Sequence, residues 1–156
     1  MKKGFTLVEL LIVVAILGIL AAVGVVSYTG FMGSAKENAT KANHKNIVKF
    51  VQVQLTTCNI SLNNYVTFIE EGGTEITHKC INLSSNQFAT ALRNHFVSSG
   101  FINPHDSNEV AVYIDKTFPT KVGRTNLGYS GSEILVKTKW GNEENNKIDT
   151  RVYFEY

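Results

Sequence analysis

Residues 2–26 read KKGFTLVELLIVVAILGILAAVGVV: two lysines, a glycine, then an apolar run broken by one carboxylate, Glu9. From Leu10 to Val26 there is no charge and no proline. Counted from Phe5, the run reaches about the 20 residues with which a helix crosses a bilayer. It reads as a membrane segment. Lys2 and Lys3 favour the cytoplasmic side, so the residues after Val26 are expected to be exported. An ordinary secretory signal would carry its small-residue cleavage site after the apolar region. Here SYTGFMGSAKENA, residues 27–39, reads as amphipathic helix instead, and the small residue at the charge-to-apolar boundary is Gly4, before the run. A carboxylate at the centre of a membrane helix costs about 2.5–3.5 kcal/mol. Glu9 is therefore expected either to have a cationic partner or, close to the helix end, to reach the headgroups.

Bulk properties constrain the rest of the chain. The protein has 156 residues and a formal net charge of +2. Without Lys2 and Lys3, thirteen basic side chains stand against thirteen acidic ones. That balance is no footprint of a nucleic-acid binder. Roughly 125 residues remain for one modest exported core.

Helical periodicity continues past the apolar run. At about 100° per residue, Tyr28, Phe31, Met32, Ala35, Ala39, Ala42, Phe50 and Val53 share a face, with Lys36, Glu37, Lys41, His44, Lys45 and Lys49 away from its centre. A single helix from Phe5 to about Leu55 is expected, roughly 75 Å long at 1.5 Å per residue. Around Ile47, Val48, Val51 and Leu55 apolar surface spreads over most of the circumference, so a sheet should wrap the helix there. The lysines alternate with Glu37 and lack interleaved aromatics, which favours a solvated face over nucleic-acid binding.

After Thr57 the elements shorten. VTFIEE and TEITHKC flank Gly72-Gly73 as a possible hairpin, and Ser84 and Gln87 stand at capping-box spacing before a short helix that Gly100 stops. EVAVYID, residues 109–115, alternates like a strand, and SEILVKTKW and KIDTRVYFEY flank GNEENN as a carboxy-terminal hairpin. The fold class expected is α+β, a long helix on a small antiparallel sheet with a minor helix. Cys58 and Cys80 both fall on the exported side, where an oxidising compartment favours a disulfide over free thiols. His44, His78, His95 and His105 have no metal-ligand spacing, and PHDSNE and GNEENNKID lack the glycine-centred calcium-loop pattern. No catalytic residue, metal or cofactor is expected. Asn38, Asn59 and Asn82 head tripeptides matching a glycosylation acceptor, a pattern short enough to arise by chance.

KKGFTLVELLIVVAILGILAA, residues 2–22, resembles the amino-terminal signature of type IV prepilins and the related type II secretion pseudopilins: a basic leader ending in Gly, then Phe-Thr-Leu, then Glu five residues past the Gly. The resemblance implies a leader at 1–4, a membrane and filament-core segment at 5–27, and an exported head at 28–156 that includes the rest of the helix. It implies cutting between Gly4 and Phe5 by a prepilin peptidase, methylation of the Phe5 amine, and pairing of Glu9 with the Phe5 amine of a neighbouring subunit. The implied partners are identical subunits, the inner membrane before assembly, and the pilus assembly machinery. The implied function is that of a structural pilin in an extracellular filament, serving adhesion, twitching motility or DNA uptake. A pseudopilin or a minor pilin is the alternative; the cysteine pair and the lack of a calcium-loop pattern speak against the pseudopilin. Two departures stand out. The family commonly has a proline near the outer end of the apolar run, where this chain has Val26, and its disulfide commonly closes a carboxy-terminal loop.

Overall fold

The computed structural model describes residues 4–60, 64–70 and 72–153. Lys2 and Lys3 of the expected leader, Glu71 of the expected first hairpin and residues 154–156 of the expected last strand lie outside them. The chain divides into two compact units, Met1–Ala35 and Lys36–Tyr156. Helix α1, Leu7–Ile60, is one uninterrupted element of 54 residues. No proline falls within it, and Gly18, Gly24, Gly30 and Gly33 are accommodated as helical residues. In the first unit its apolar side chains are uncovered: the large hydrophobic residues from Leu7 to Val26 are all at least 46% exposed. This stretch is long and apolar enough to cross a membrane.

In the second unit α1 buries Thr40, His44, Ile47, Val51, Leu55 and Cys58, at helical spacings of three and four. This corrects the face expected from periodicity. Ala39, Ala42 and Val53 are exposed and His44 is buried. The reason is size and partnership. Ile47, Val51 and Leu55 offer more burial per residue than alanines, and the sheet supplies threonine hydroxyls to His44, one turn before Ile47. The expectation that the helix is covered around Ile47 and Val51 holds; both are fully buried.

Strands β1, Tyr65–Ile69, and β2, Glu75–Lys79, form an antiparallel hairpin in which Phe68 and Val66 point into the core. A 3-10 turn, Cys80–Asn82, leads to α2, Ser85–Ser98. The Ser84 hydroxyl accepts from the Gln87 amide while the Gln87 side chain accepts from the Ser84 amide, a complete capping box. At the other end Gly100, at φ +79°, lets the chain turn off the helix.

The segment 109–115 is not one strand. β4, Asp106–Val110, pairs with β3, Ile102–Asn103, and β5, Val112–Ile114, pairs with β6, Thr125–Ser130. Ala111 is the switch: its amide donates to the Phe101 carbonyl and its carbonyl accepts from Thr125. β6 continues antiparallel to β7, Glu133–Lys139, and β7 to β8, Lys147–Tyr153, giving the order β5-β6-β7-β8. The β5–β6 pairing is parallel, so the loop between them has to cross back. It passes close over β6 at Gly128, where an added Cβ would lie 2.9 Å from the Asp115 carbonyl oxygen and from Lys116 Cα. The fold is α+β, a long helix with small, mostly antiparallel sheets.

Candidate assembly site

Gly4 and Phe5 precede α1, and Phe5 is 84% exposed. A Cβ on Gly4 would meet nothing within 4 Å, so no contact among the described residues asks for glycine there. Thr6 and Glu9 form a second capping box. The Thr6 amide donates to Glu9 Oε2 at 2.8 Å, the Thr6 hydroxyl donates to the same oxygen at 2.7 Å, and the Glu9 amide donates to Thr6 Oγ1 at 3.3 Å. The carboxylate thus sits where the first turn leaves amide groups without intrahelical partners and where the helix dipole favours negative charge. All three bonds involve Oε2 or the hydroxyl, and Oε1 takes part in none of them. Sequence reasoning treated Glu9 as a membrane charge alone and missed this role. The signal was present in Thr6-Leu-Val-Glu9, the T-x-x-E spacing ahead of an apolar run.

The remaining site residues lie in the second unit. Cys58, on the last turns of α1, and Cys80, just after β2, are joined by a disulfide with Cα atoms 5.7 Å apart. His44 reaches Thr138 on β7 through Nδ1 at 2.8 Å and Thr150 on β8 through Nε2 at 2.9 Å. Thr138 in turn shares a 2.6 Å hydrogen bond with Thr125 of β6. Burial holds the His44 pKa below the usual histidine range, against the opposing pull of Asp149. His95 on α2 stacks on Phe50 of α1, ring centroids 4.3 Å apart and planes within 12°.

Charge on the sheet is mostly spoken for. Glu109 accepts from Arg124 Nε at 3.0 Å and Nη2 at 2.6 Å, and from Lys121. These donors, Arg124 first, hold its pKa at about 2. Lys137 and Lys147 flank the Phe118 ring at 5.2 and 5.5 Å, and Lys41 stands 3.4 Å above Trp140. Among the described residues, no three His, Cys, Asp or Glu side chains are grouped to hold a metal ion. The arrangement offers caps, clamps and uncovered apolar surface.

The family model for the prokaryotic N-terminal methylation motif matches residues 1–25. The Type IV major pilin protein PilA of Myxococcus xanthus (strain DK1622) is 49% identical over 44 residues, 28% of this chain and 20% of that protein. The likeness to known proteins is thus one of the amino-terminal segment. The likeness to the Myxococcus pilin therefore covers a fifth of that relative's length. No solved structure matches the chain. Gly4, Phe5, Thr6 and Glu9 all fall inside the matched N-terminal methylation motif, whereas His44, Cys58, Cys80 and His95 lie beyond it.

Proposed function

We propose that this chain is a structural subunit, a major pilin, of an extracellular type IV pilus. The observation that carries the reading is the apolar half of α1, capped by Thr6 and Glu9 and left uncovered within the subunit. At about 25 cal/mol per Å², so much exposed apolar surface is untenable in water and must be covered by lipid or by other copies. Residues 1–4 act as leader, residues 5–27 as inner-membrane anchor and then filament core, and residues 28–156 as the head, which also holds the rest of the helix. A prepilin peptidase cuts after Gly4 and the Phe5 amine is methylated. The subunit then passes to the pilus assembly machinery and polymerises with identical copies. The chain performs no chemistry; the work of assembly is done by separate motors. The filament serves adhesion, twitching motility or DNA uptake.

The test is electron microscopy of sheared surface material combined with mass spectrometry of its subunits. Long filaments whose main protein begins at methylated Phe5 are expected. Intact Met1 in the filaments would overturn the processing, and a scarce subunit in filaments built of another protein would make this a minor pilin.

A further inference from the structure

The β1–β2 hairpin is fastened differently at its two ends. At its root Tyr65 lies opposite Lys79, the Cys80 amide donates to the Asn64 carbonyl at 2.7 Å, and Cys80 is covalently tied to Cys58 of α1. Val66 and Phe68, farther along β1, are buried in the core. At the tip Ile69 lies opposite Glu75, and Gly72 and Gly73, both at positive φ, carry the turn. There the Ile69 amide donates to Nδ1 of His95 on α2 at 3.1 Å.

We propose that this tip is a proton-operated latch, held while Nδ1 of His95 is unprotonated and released when that nitrogen takes a proton from solvent. A ring nitrogen that accepts an amide proton must present its lone pair, so the neutral ring carries its hydrogen on Nε2. Protonation places a second N–H on Nδ1, facing the Ile69 N–H at a distance that suits one hydrogen and not two. Rotating the ring offers no escape, because both nitrogens of the imidazolium are donors. The ring is also confined, stacked on Phe50 and edge-on to Phe68 and Phe96 at centroid distances of 6.3 and 5.5 Å.

Among the described residues, no carboxylate forms an ion pair with the His95 ring. From α1 the ring meets Phe50, from β1 Phe68 and the Ile69 amide, and from α2 itself Phe96. The titratable groups nearest in sequence to these contacts are Lys49 on α1, which is exposed, Glu70 beyond β1, and Arg93 on α2, whose Nη1 donates to Asn94. His78 of β2 sits against Phe68 at 5.9 Å. Burial is what pushes the His95 pKa below the ordinary histidine value, so the latch is closed at neutral pH and opens on acidification. The root stays seated, because the buried Val66 and the disulfide hold it apart from the Ile69–His95 hydrogen bond. What is released from α2 is therefore the Ile69 end of β1.

NMR on the full chain in detergent micelles tests this. His95 should carry its hydrogen on Nε2 at neutral pH, and the protection factor of the Ile69 amide, corrected for intrinsic exchange, should fall about tenfold as His95 titrates. Protection of the Phe68 amide should hold over the same range. His95→Gln, which can accept without titrating, should abolish the pH dependence at Ile69. An Nδ1–H tautomer at neutral pH, or Ile69 protection that stays constant through the His95 titration, would overturn the proposal even if the variant does not fold.

Discussion

Folding takes His44 out of water and gives each of its ring nitrogens a threonine hydroxyl. A neutral imidazole satisfies this arrangement, one nitrogen donating and the other accepting. The charged ring would lose hydration, and burial accordingly lowers its pKa from the ordinary 6.5. The unfolded chain binds the proton more readily, so the contribution of His44 is complete above the ordinary value and is lost as pH falls below it toward the depressed folded value. Glu109 behaves differently: its contribution, present above the carboxylate reference value of 4.5, disappears only as pH falls through about 2. Acidifying from about pH 7.5 to about pH 5 should therefore lower the urea midpoint of the full chain through its histidines and not through Glu109. His44→Ala should lose part of that slope and cost about 2 kcal/mol at neutral pH, since Thr138 and Thr150 each lose a partner. An unchanged slope in the variant would assign the acid response to other groups.

Among the elements, the stretch from α1 into the hairpin is held by the Cys58–Cys80 bridge, which closes a segment with a sequence separation of 22. In the chain-entropy account a loop of that size is worth about 3 kcal/mol, so Cys58→Ser should lower the denaturant-unfolding free energy by that amount, and reductant should do the same to the wild type. A midpoint unaffected by reductant would show that the bridge adds nothing beyond packing. Ser84→Ala should cost about 1 kcal/mol by removing the α2 cap. These elements were legible because each depends on local chemistry: an apolar run without breakers, a Gly-Gly turn, a capping box, and alternation in β7 and β8. What was illegible depends on tertiary partners. Nothing local reveals that His44 faces two threonines more than ninety positions away, or that β6, interrupted by Gly128, is a strand needed on both sides by β5 and β7. The strand expected from Glu109 to Asp115 failed for the same reason, because the chain changes sheets at Ala111 to satisfy two different neighbours. The T-x-x-E cap at Glu9 was a local signal, overlooked because the carboxylate was weighed only against the membrane.

At the scale of the whole molecule, the uncovered apolar half of α1 demands a partner surface, and Glu9 stands at its beginning. Two roles for this carboxylate now compete. As a cap it satisfies the Thr6 amide within its own subunit. As one half of a charge pair, it would use Oε1, left out of the capping bonds, to receive the Phe5 amine of a neighbour, a cation near neutral pH because a free α-amine titrates near 8. Substitution separates them. Glutamine at this position of a capping box can still accept from the Thr6 amide, but it has no charge. Alanine removes both functions. If the charge pair sets the register of docking, Glu9→Gln and Glu9→Ala should both insert and be cleaved normally, and both should cut filament number by more than about tenfold, because an unpaired amine in an apolar bundle is costly whichever neutral residue faces it. Counting filaments by electron microscopy against immunoblots of processed subunit checks this. Normal filaments from Glu9→Gln alongside failure of Glu9→Ala would make the residue a helix cap and nothing more.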